Sequence, residues 1–322
     1  MLKFNLLGGG VRCSALALTL GAACLACMPR PGMAQDESPP DKIRVLIIDG
    51  QNNHNWKETT RATRETLIAC GRFEVDVATS PANRGAEDEW AAWRPSFKRY
   101  DVVFSNYNDG GRCLWSEQTK QDLVDFVAGG GGLAIVHAAN NSSGDWPEYN
   151  RMIGVGGWGG RTPAHGSHLR RVDGVWTTDP APDGGSGSHG PQHAFVVESA
   201  GVSHPITDGL PKRWLHAKDE LYDSLRGPCE KVTVLASAFC PKTKRHEPMV
   251  MTVSYGAGRV FHTPMGHVGG SDPVHCVGFQ AVVARGTEWA ATGAVTLPVP
   301  GAFPTAEATS VVAPDKVTWR QL

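Results

Sequence analysis

Histidines that follow apolar runs are the residues with the clearest chemical potential in this sequence. The chain has 12 histidines in 322 residues, and His54, His137 and His267 each follow a run typical of a β-strand. Histidine titrates near neutral pH, so it can donate or accept a proton during catalysis. The Asp219–Glu220 pair adds carboxylates on a segment that can reach the same place. We therefore predict His137 and His267 as catalytic residues, together with a carboxylate of this pair.

A metal site is the second chemistry that these residue types support. Imidazole and carboxylate ligands together suit a divalent transition metal, above all zinc with a water as an open ligand. The candidate ligands are His137, His165 and His267. None of the spacings matches a known motif such as HExxH, and a histidine at a strand end can also be buried with its ring bonded to a backbone carbonyl. Acid–base chemistry, metal binding and a structural role all stay open at this stage.

Polar and aromatic side chains near these histidines are candidates for substrate binding. The amides that follow His137 would line the crevice at the end of its strand, and two more histidines lie on segments that can reach it. A tryptophan face can stack on a ligand ring, although tryptophans near loops also cover core. The predicted substrate-binding residues are His54, Asn140, Asn141, Trp146 and His168.

A short apolar strand must position His137. Four glycines at 129–132 lead into the apolar residues 133–136, and small residues follow His137. A run this short between glycines is typical of a buried strand in a parallel sheet. Ligands of open α/β sheets bind beyond the carboxyl ends of such strands. We therefore expect His54, His137 and His267 to lie at the same edge of one sheet.

Alternation of strands and helices predicts the fold class. In the first half, apolar runs predict strands at 43–49, 73–78, 101–105 and 133–136, and amphipathic segments between them predict helices that start near 56 and 116. This alternation indicates an α/β fold with a doubly wound, mostly parallel sheet flanked by helices. The second half has a glycine-rich stretch and then further predicted elements: strands at 193–198, 231–236, 249–254 and 258–263, and a helix at 273–289.

Six segments in a fixed order carry a resemblance to a known family. They are GQNNHNWKETT, GGGLAIVHAA, HPITDGL, DELY, YGAGRVFHTPMGH and RGTEW, spread over residues 43–290. The sequence resembles the trehalose-utilisation (ThuA-like) family in these segments. The resemblance implies a fold similar to class I glutamine amidotransferases, which is a flavodoxin-like three-layer sandwich. It also implies a role in carbohydrate metabolism, on a disaccharide or glycoside that includes oxidised (keto) forms. Because the DELY motif centres on Glu220, the resemblance favours Glu220 over Asp219 as the catalytic carboxylate.

One departure from the amidotransferase pattern limits the chemistry. Those enzymes carry a nucleophilic cysteine in the sharp turn after the central strand, whereas this chain has His137 followed by two alanines. Amidotransferase chemistry by that route is therefore not expected. An enzyme that hydrolyses, eliminates or isomerises a sugar is one remaining interpretation, and a non-catalytic sugar-binding protein is the other. The many titratable groups favour the enzyme.

Composition along the chain predicts four parts and an export route. Residues 1–34 combine a basic start, an apolar core too short to span a membrane and a small-x-small cleavage site, which is the pattern of a signal peptide. Residues 35–42 form a polar linker, 43–295 the α/β domain, and 296–322 a Pro/Ala/Thr-rich surface tail. We expect a periplasmic or extracellular protein with no transmembrane segment after cleavage.

Charge and cysteine content exclude two classes of protein. Removal of residues 1–34 takes away three of the 31 Lys and Arg residues and none of the 32 Asp and Glu residues. The resulting acidic balance argues against a nucleic-acid partner, and the family resemblance implies a small-molecule carbohydrate as the ligand. The five remaining cysteines are odd in number and widely spaced, which does not fit a disulfide scaffold. A single bridge between Cys229 and Cys240 is compatible with an oxidising compartment.

Overall fold

Apolar runs in the first half of the chain form the strands that their composition predicts. The computed structural model describes residues 42–82, 85–180, 184–268 and 272–319. The predicted signal peptide and nearly all of the linker lie outside these residues and stay predictions. The strands of the first half are β1 (Ile43–Asp49), β2 (Phe73–Thr79), β3 (Val102–Ser105) and β4 (Gly132–Val136). The helices are α1 (Trp56–Ala69), α2 (Glu87–Ala92), α3 (Glu117–Ala128) and α4 (Pro147–Ile153).

The second half adds mainly strands. They are β5 (Ser167–Val172), β6 (Val175–Asp179), β7 (Ser188–His189), β8 (His193–Ser199), β9 (Arg213–Asp219), β10 (Tyr222–Asp223), β11 (Arg226–Gly227), β12 (Val232–Cys240), β13 (Arg245–Tyr255) and β14 (Gly258–Thr263). Two helices follow, α5 (Asp272–His275) and α6 (Val277–Thr292). Short 3₁₀ helices lie at Phe97–Arg99, His137–Asn141, Pro163–His165 and Pro314–Lys316. The glycine-rich stretch, which gives little periodic signal, therefore contains the β5–β6 hairpin.

One nine-stranded sheet organises the molecule, in the order β2-β1-β3-β4-β14-β13-β12-β8-β9. The pairs from β2 to β14 are parallel, as the alternating half of the sequence predicts. The pairs from β14 to β9 are antiparallel. Tight turns join β12 to β13 and β13 to β14, and a short connection can only join antiparallel strands. The antiparallel direction of these two pairs therefore follows from their turns. The predicted α/β class is confirmed, as a mixed sheet with helices.

Alternating side chains of the parallel strands enter two separate apolar clusters. Val45 and Ile47 of β1 belong to a cluster that includes residues of α1 and α6. Leu46 and Ile48 belong to a second cluster that includes residues of α3 and α4. Because successive side chains of a strand point to opposite faces of the sheet, the two clusters lie on opposite sides of β1.

The C-terminal segment corrects the prediction of a surface tail. Leu297, Val317 and Trp319 are buried in the cluster that contains α1 and α6, and the backbone N–H of Thr296 donates to Glu288 of α6 at 3.0 Å. The Pro/Ala/Thr-rich composition of the segment suggested solvent exposure, but several of its larger apolar side chains pack into the core. The α/β domain therefore continues past 295, as far as the last described residue, 319.

Two further expectations about the chain can be compared with the structure. The five described cysteines are free thiols, so the Cys229–Cys240 bridge considered from the sequence is not formed. In the described part of the chain, no helix combines the length and apolar character needed to cross a bilayer.

Candidate active site

Three histidines leave the sheet at its carboxyl edge. His54 lies in the turn after β1, His137 directly follows β4, and His267 follows β14. Since these strands run parallel within one sheet, their ends lie on the same side of it. The ring centroids of His54 are 4.7 Å from those of both His137 and His267. The expected convergence of the three residues is therefore observed.

Glycines make two of these turns possible. Gly50, at the end of β1, has φ of 114°, and a Cβ there would lie 2.5 Å from Ser80 Oγ. Gly266 precedes His267 with φ of 112°, and a Cβ there would lie 2.8 Å from the Phe279 ring. Only glycine accepts such backbone angles without strain. The chain can thus turn sharply beside the site while the adjacent side chains stay packed.

His137 is held in an uncommon backbone conformation. Its φ is 47°, in the left-handed region that costs a non-glycine residue of the order of 1–3 kcal/mol. The ring is buried, and Nδ1 lies 2.8 Å from the carbonyl oxygen of Pro264. Because a carbonyl only accepts, Nδ1 carries the proton and Nε2 keeps its lone pair. The Tyr222 hydroxyl lies 3.1 Å from that Nε2.

Glu220 is the carboxylate on which the histidines converge. Its Oε2 lies 3.2 Å from His267 Nδ1, 3.7 Å from His137 Nε2 and 3.8 Å from His54 Nε2. The ligand atoms of these four residues all lie within 4.8 Å of one another. We call them the histidine–glutamate cluster; its members are His54, His137, Glu220 and His267.

Asp219 fixes the backbone on both sides of the cluster. This buried carboxylate accepts hydrogen bonds from the backbone N–H groups of Glu220 at 2.7 Å and His267 at 3.0 Å. It also accepts from Gly266 N–H at 2.8 Å and contacts His216 Nε2 at 2.7 Å. The residue at the end of β9 therefore ties Glu220 to the segment after β14.

Burial and mutual charge divide the cluster into different protonation states. Burial, together with the neighbouring imidazoles, lowers the pKa of His54 to about 4, and burial also lowers the pKa of His137. Burial alone would lower the pKa of His267, but the Glu220 carboxylate outweighs it and raises that pKa. Burial would likewise raise the pKa of Glu220, but His267 and His137 hold it at about 2. The cluster thus combines the neutral imidazoles of His54 and His137 with an ionised Glu220 carboxylate and with the His267 imidazole, whose protonated form that carboxylate stabilises.

A cavity of about 690 Å³ opens above the cluster, within the usual range for small-molecule sites. His54 and Glu220 border it directly. The remaining lining side chains are mostly amides and aromatic rings, and they come from the segments after β1, β3 and β4, from the glycine-rich stretch and, for Tyr222, from β10. They include Gln51, Asn52, Asn53, Trp56, Asn108, Asp109, Asn141, Trp158, His189 and Tyr222.

Some predicted binding residues lie elsewhere. Asn141 borders the cavity, but the amide of Asn140 lies 3.0 Å from His262 Nε2 in a fully buried position. Trp146 is buried against Trp115 and Tyr149 in the second apolar cluster, so it has no face for a ligand. The prediction for these two residues is corrected, because packing behind the strand ends uses both side chains.

Neither histidine predicted in the glycine-rich stretch joins the cluster. The ring of His165 accepts a hydrogen bond from Thr162 N–H at 2.9 Å. His168 is on β5, in a separate small sheet, with Nδ1 3.1 Å from the Leu225 carbonyl. The metal-ligand set predicted from the sequence is therefore corrected: His54 and Glu220 stand where His165 was expected.

His189 and Tyr222 are among the cavity residues that the sequence-based selection missed. His189 Nε2 lies 3.7 Å from Glu220 Oε1, although its glycine-rich surroundings suggested a mobile loop position. Tyr222 contacts His137 and packs against the Trp158 ring. Tyr222 is the last residue of the DELY segment, so the family resemblance already offered a reason to select it. For His189, only its pairing with Tyr222 through the two-residue strand β7 brings it to the site.

Comparison with known proteins identifies the family. The ThuA family model, described as trehalose utilisation, matches residues 44–290. A solved ThuA-like protein from Parabacteroides merdae ATCC 43184 is 40% identical to this chain, covers 86% of it and 99% of its own length, and gives a TM-score of 0.81. A ThuA-like protein from Bacteroides uniformis ATCC 8492 is 17% identical, with coverages of 82% and 97% and a TM-score of 0.53. A comparison with curated proteins finds no match. The chain belongs to the trehalose-utilisation family, and the resemblance stated from its six segments is confirmed.

Proposed function

We propose that this member of the trehalose-utilisation family is an enzyme that acts on a carbohydrate, with the histidine–glutamate cluster as its reacting centre. The observation that carries the proposal is the convergence of three imidazoles and a carboxylate beside an open cavity, which His54 and Glu220 border directly. A cavity that only bound a sugar would need fewer titratable groups. The family description points to the same substrate class.

The lining of the cavity suits a polyhydroxylated ligand. Asn52, Asn53 and Asn108 offer amide donors and acceptors, the groups that bind sugar hydroxyls. Asn141 Oδ1 is buried without a hydrogen-bond partner among the described residues, so a ligand hydroxyl would satisfy it. Trp158 adds an aromatic wall, against which the apolar face of a sugar ring can pack.

The carboxylates of the cavity favour proton transfer over direct glycoside hydrolysis. A glycosidase needs two carboxyl groups that face the scissile bond. Among the described lining residues, Asp109 is the carboxylate besides Glu220, and it already accepts hydrogen bonds from Ser143 and Gly111. The turn after β4 offers His137 in place of a nucleophile. We therefore propose proton transfer at a carbon beside a carbonyl, which leads to isomerisation or elimination of an oxidised (keto) disaccharide or glycoside.

A turnover screen tests this proposal. Purified protein is incubated with ordinary disaccharides and their keto derivatives in D₂O, and NMR follows product formation and deuterium uptake beside the carbonyl. We expect turnover of a keto sugar, reduced at least about a hundredfold in Glu220→Gln and unchanged in Glu117→Gln, whose carboxylate is exposed on α3.

Binding without turnover would overturn the enzymatic proposal in favour of a sugar-binding protein. Isothermal titration calorimetry with the same sugars detects that outcome. Absence of both binding and turnover across the set would contradict the carbohydrate assignment itself.

We also propose that the chain forms a doubly wound, three-layer sandwich, in which the two apolar clusters fill the interfaces between the sheet and the helices on either side. The burial of alternate β1 residues in clusters with different helices supports it. In such a sandwich the site lies at the carboxyl edge of the parallel strands, where the cluster is found.

A further inference from the structure

We propose that the histidine–glutamate cluster binds one divalent transition-metal ion. The inference deepens the proposed function by placing an ion at the same reacting centre, but its test uses no carbohydrate. It rests on the spacing of the donor atoms, on the orientation of the rings and on the type of donor.

The spacing of the donor atoms matches a shared ion. Metal–ligand bonds of about 2.1 Å place neighbouring tetrahedral ligands about 3.4 Å apart. Glu220 Oε2 lies 3.2, 3.7 and 3.8 Å from the three nearest imidazole nitrogens. All four ligand atoms fall within 4.8 Å of one another, so small side-chain movements bring them to one centre.

The His137 ring is oriented as that of a metal ligand usually is. Its Nδ1–H donates to the Pro264 carbonyl, which fixes the tautomer and directs the Nε2 lone pair into the cluster, as in many metal sites. The Tyr222 hydroxyl, 3.1 Å from that Nε2, would give up this contact to the ion. Nδ1 of His267 is buried without a hydrogen bond of good geometry among the described residues, although Glu220 Oε2 is 3.2 Å away. An ion between these atoms would satisfy both.

The donor set selects the class of ion. Three imidazole nitrogens and one carboxylate oxygen favour zinc, iron, cobalt or manganese over calcium and magnesium, which prefer oxygen ligands. His54 and Glu220 border the cavity. A further coordination position would therefore face the cavity, where a water or a sugar oxygen can bind.

Metal binding is measured directly on the full chain, purified without a polyhistidine tag and stripped with a chelator. Zn²⁺ is titrated by calorimetry, bound zinc is counted by elemental analysis, and Co²⁺ is added as a visible-absorption probe. We expect one ion per chain with a Kd below about 1 µM. Bound Co²⁺ should give absorption bands at about 500–700 nm, which is the usual range for nitrogen–oxygen sites of low coordination number.

Matched variants locate the ion. His54→Ala, whose ring is partly exposed, and Glu220→Gln should weaken Zn²⁺ binding by at least about a hundredfold, more than the loss of an outer-shell partner. His165→Ala is the control, because His165 lies outside the cluster and should leave the Kd unchanged. Circular dichroism confirms that each variant is folded.

The outcomes separate this inference from the proposed function. Failure of wild-type protein to bind Zn²⁺ or Co²⁺, or equal binding by His54→Ala and wild type, overturns the metal site whatever the turnover screen shows. Stoichiometric binding that is lost in the cluster variants supports the metal site even if no sugar is turned over.

Discussion

His137 combines a strained backbone with a fully committed side chain. Its φ of 47° places the ring at the tip of the turn after β4, and both ring nitrogens have partners. Residues held in such conformations cluster at functional sites, because the surrounding structure must over-determine them. The turn after β4 therefore carries an imidazole with a fixed tautomer.

A pair of buried histidines tests the role of His137. We expect His137→Ala to lower turnover per folded molecule by about a hundredfold to ten-thousandfold, because it removes a group that contacts the reacting carboxylate. His168→Ala is the control, since His168 is equally buried but bonded to Leu225 away from the cavity.

His168→Ala should lower the free energy of unfolding by about 1–3 kcal/mol, because a buried hydrogen bond is lost. Its melting temperature should fall accordingly, and the turnover of folded protein should stay unchanged. Kinetics and thermal melts on the two variants measure both effects. Equal turnover losses in the two proteins would show that His137 acts only through stability.

Strand-end reasoning predicted the core of the site, and packing decided the rest. His54, His137 and His267 could be predicted because parallel strands bring their carboxyl ends together. Trp146 could not be assigned in the same way, because a tryptophan after a strand end packs equally well in a core. The place of His189 depends on β7, a two-residue strand whose pairing no local pattern announces.

At the scale of elements, the hairpins of the second half carry an unusual buried acid. Glu247 of β13 is nearly inaccessible. It accepts hydrogen bonds from Ser224 N–H and the Thr243 hydroxyl, and Arg170 lies 3.7 Å away. Burial nevertheless dominates and raises its pKa from 4.5 to about 7. The folded chain therefore binds this proton more tightly than the unfolded chain.

The raised pKa predicts a pH-dependent penalty that Glu247→Gln should remove. Because the folded state retains the proton at higher pH, this group lowers the free energy of unfolding as pH rises from about 4.5 to 7. The full penalty, of the order of 3 kcal/mol, applies above pH 7. The glutamine variant should therefore gain stability relative to wild type over that interval.

Urea unfolding at pH 5 and pH 8 measures the difference, in which contributions from other titrating groups cancel. Glu117→Gln, with its exposed carboxylate, is the control and should show little pH-dependent difference. A gap between Glu247→Gln and wild type that is the same at both pH values would contradict the assignment of the penalty to Glu247.

Sheet topology shows where local sequence patterns reach their limit. The first four strands follow from apolar runs separated by helices, so a parallel arrangement could be predicted. The antiparallel addition of β13 depends on the tight turn at residues 256–257, and β12 continues beyond its predicted end through Ser237 to Cys240. Ser237 to Cys240 pair with β13 because the hairpin continues beyond the apolar run. Local composition does not show how far a hairpin continues.

At the scale of the whole molecule, the C-terminal segment belongs to the core. Trp319 and Val317 are buried in the same cluster as α1 and α6, and Ser310 accepts a hydrogen bond from Val277 N–H at the start of α6. The Pro/Ala/Thr-rich composition of 296–322 predicted a tail, but composition averages over residues and a few buried contacts are enough to dock a segment. These contacts attach the C-terminal segment to the rest of the described fold.

Removal of one buried side chain of this segment should therefore lower the free energy of unfolding as much as a core substitution does. Trp319 is 8% exposed, and truncation of a buried tryptophan to alanine destabilises by about 3–5 kcal/mol. Phe239→Ala is the control, since that ring is 49% exposed and its loss should cost less than about 1 kcal/mol. Urea unfolding should show a lower midpoint for Trp319→Ala with an unchanged slope, because the native state stays intact until it unfolds cooperatively. If the midpoint of Trp319→Ala instead matched that of Phe239→Ala, the segment would contribute no more than a surface tail, and the original prediction from composition would stand.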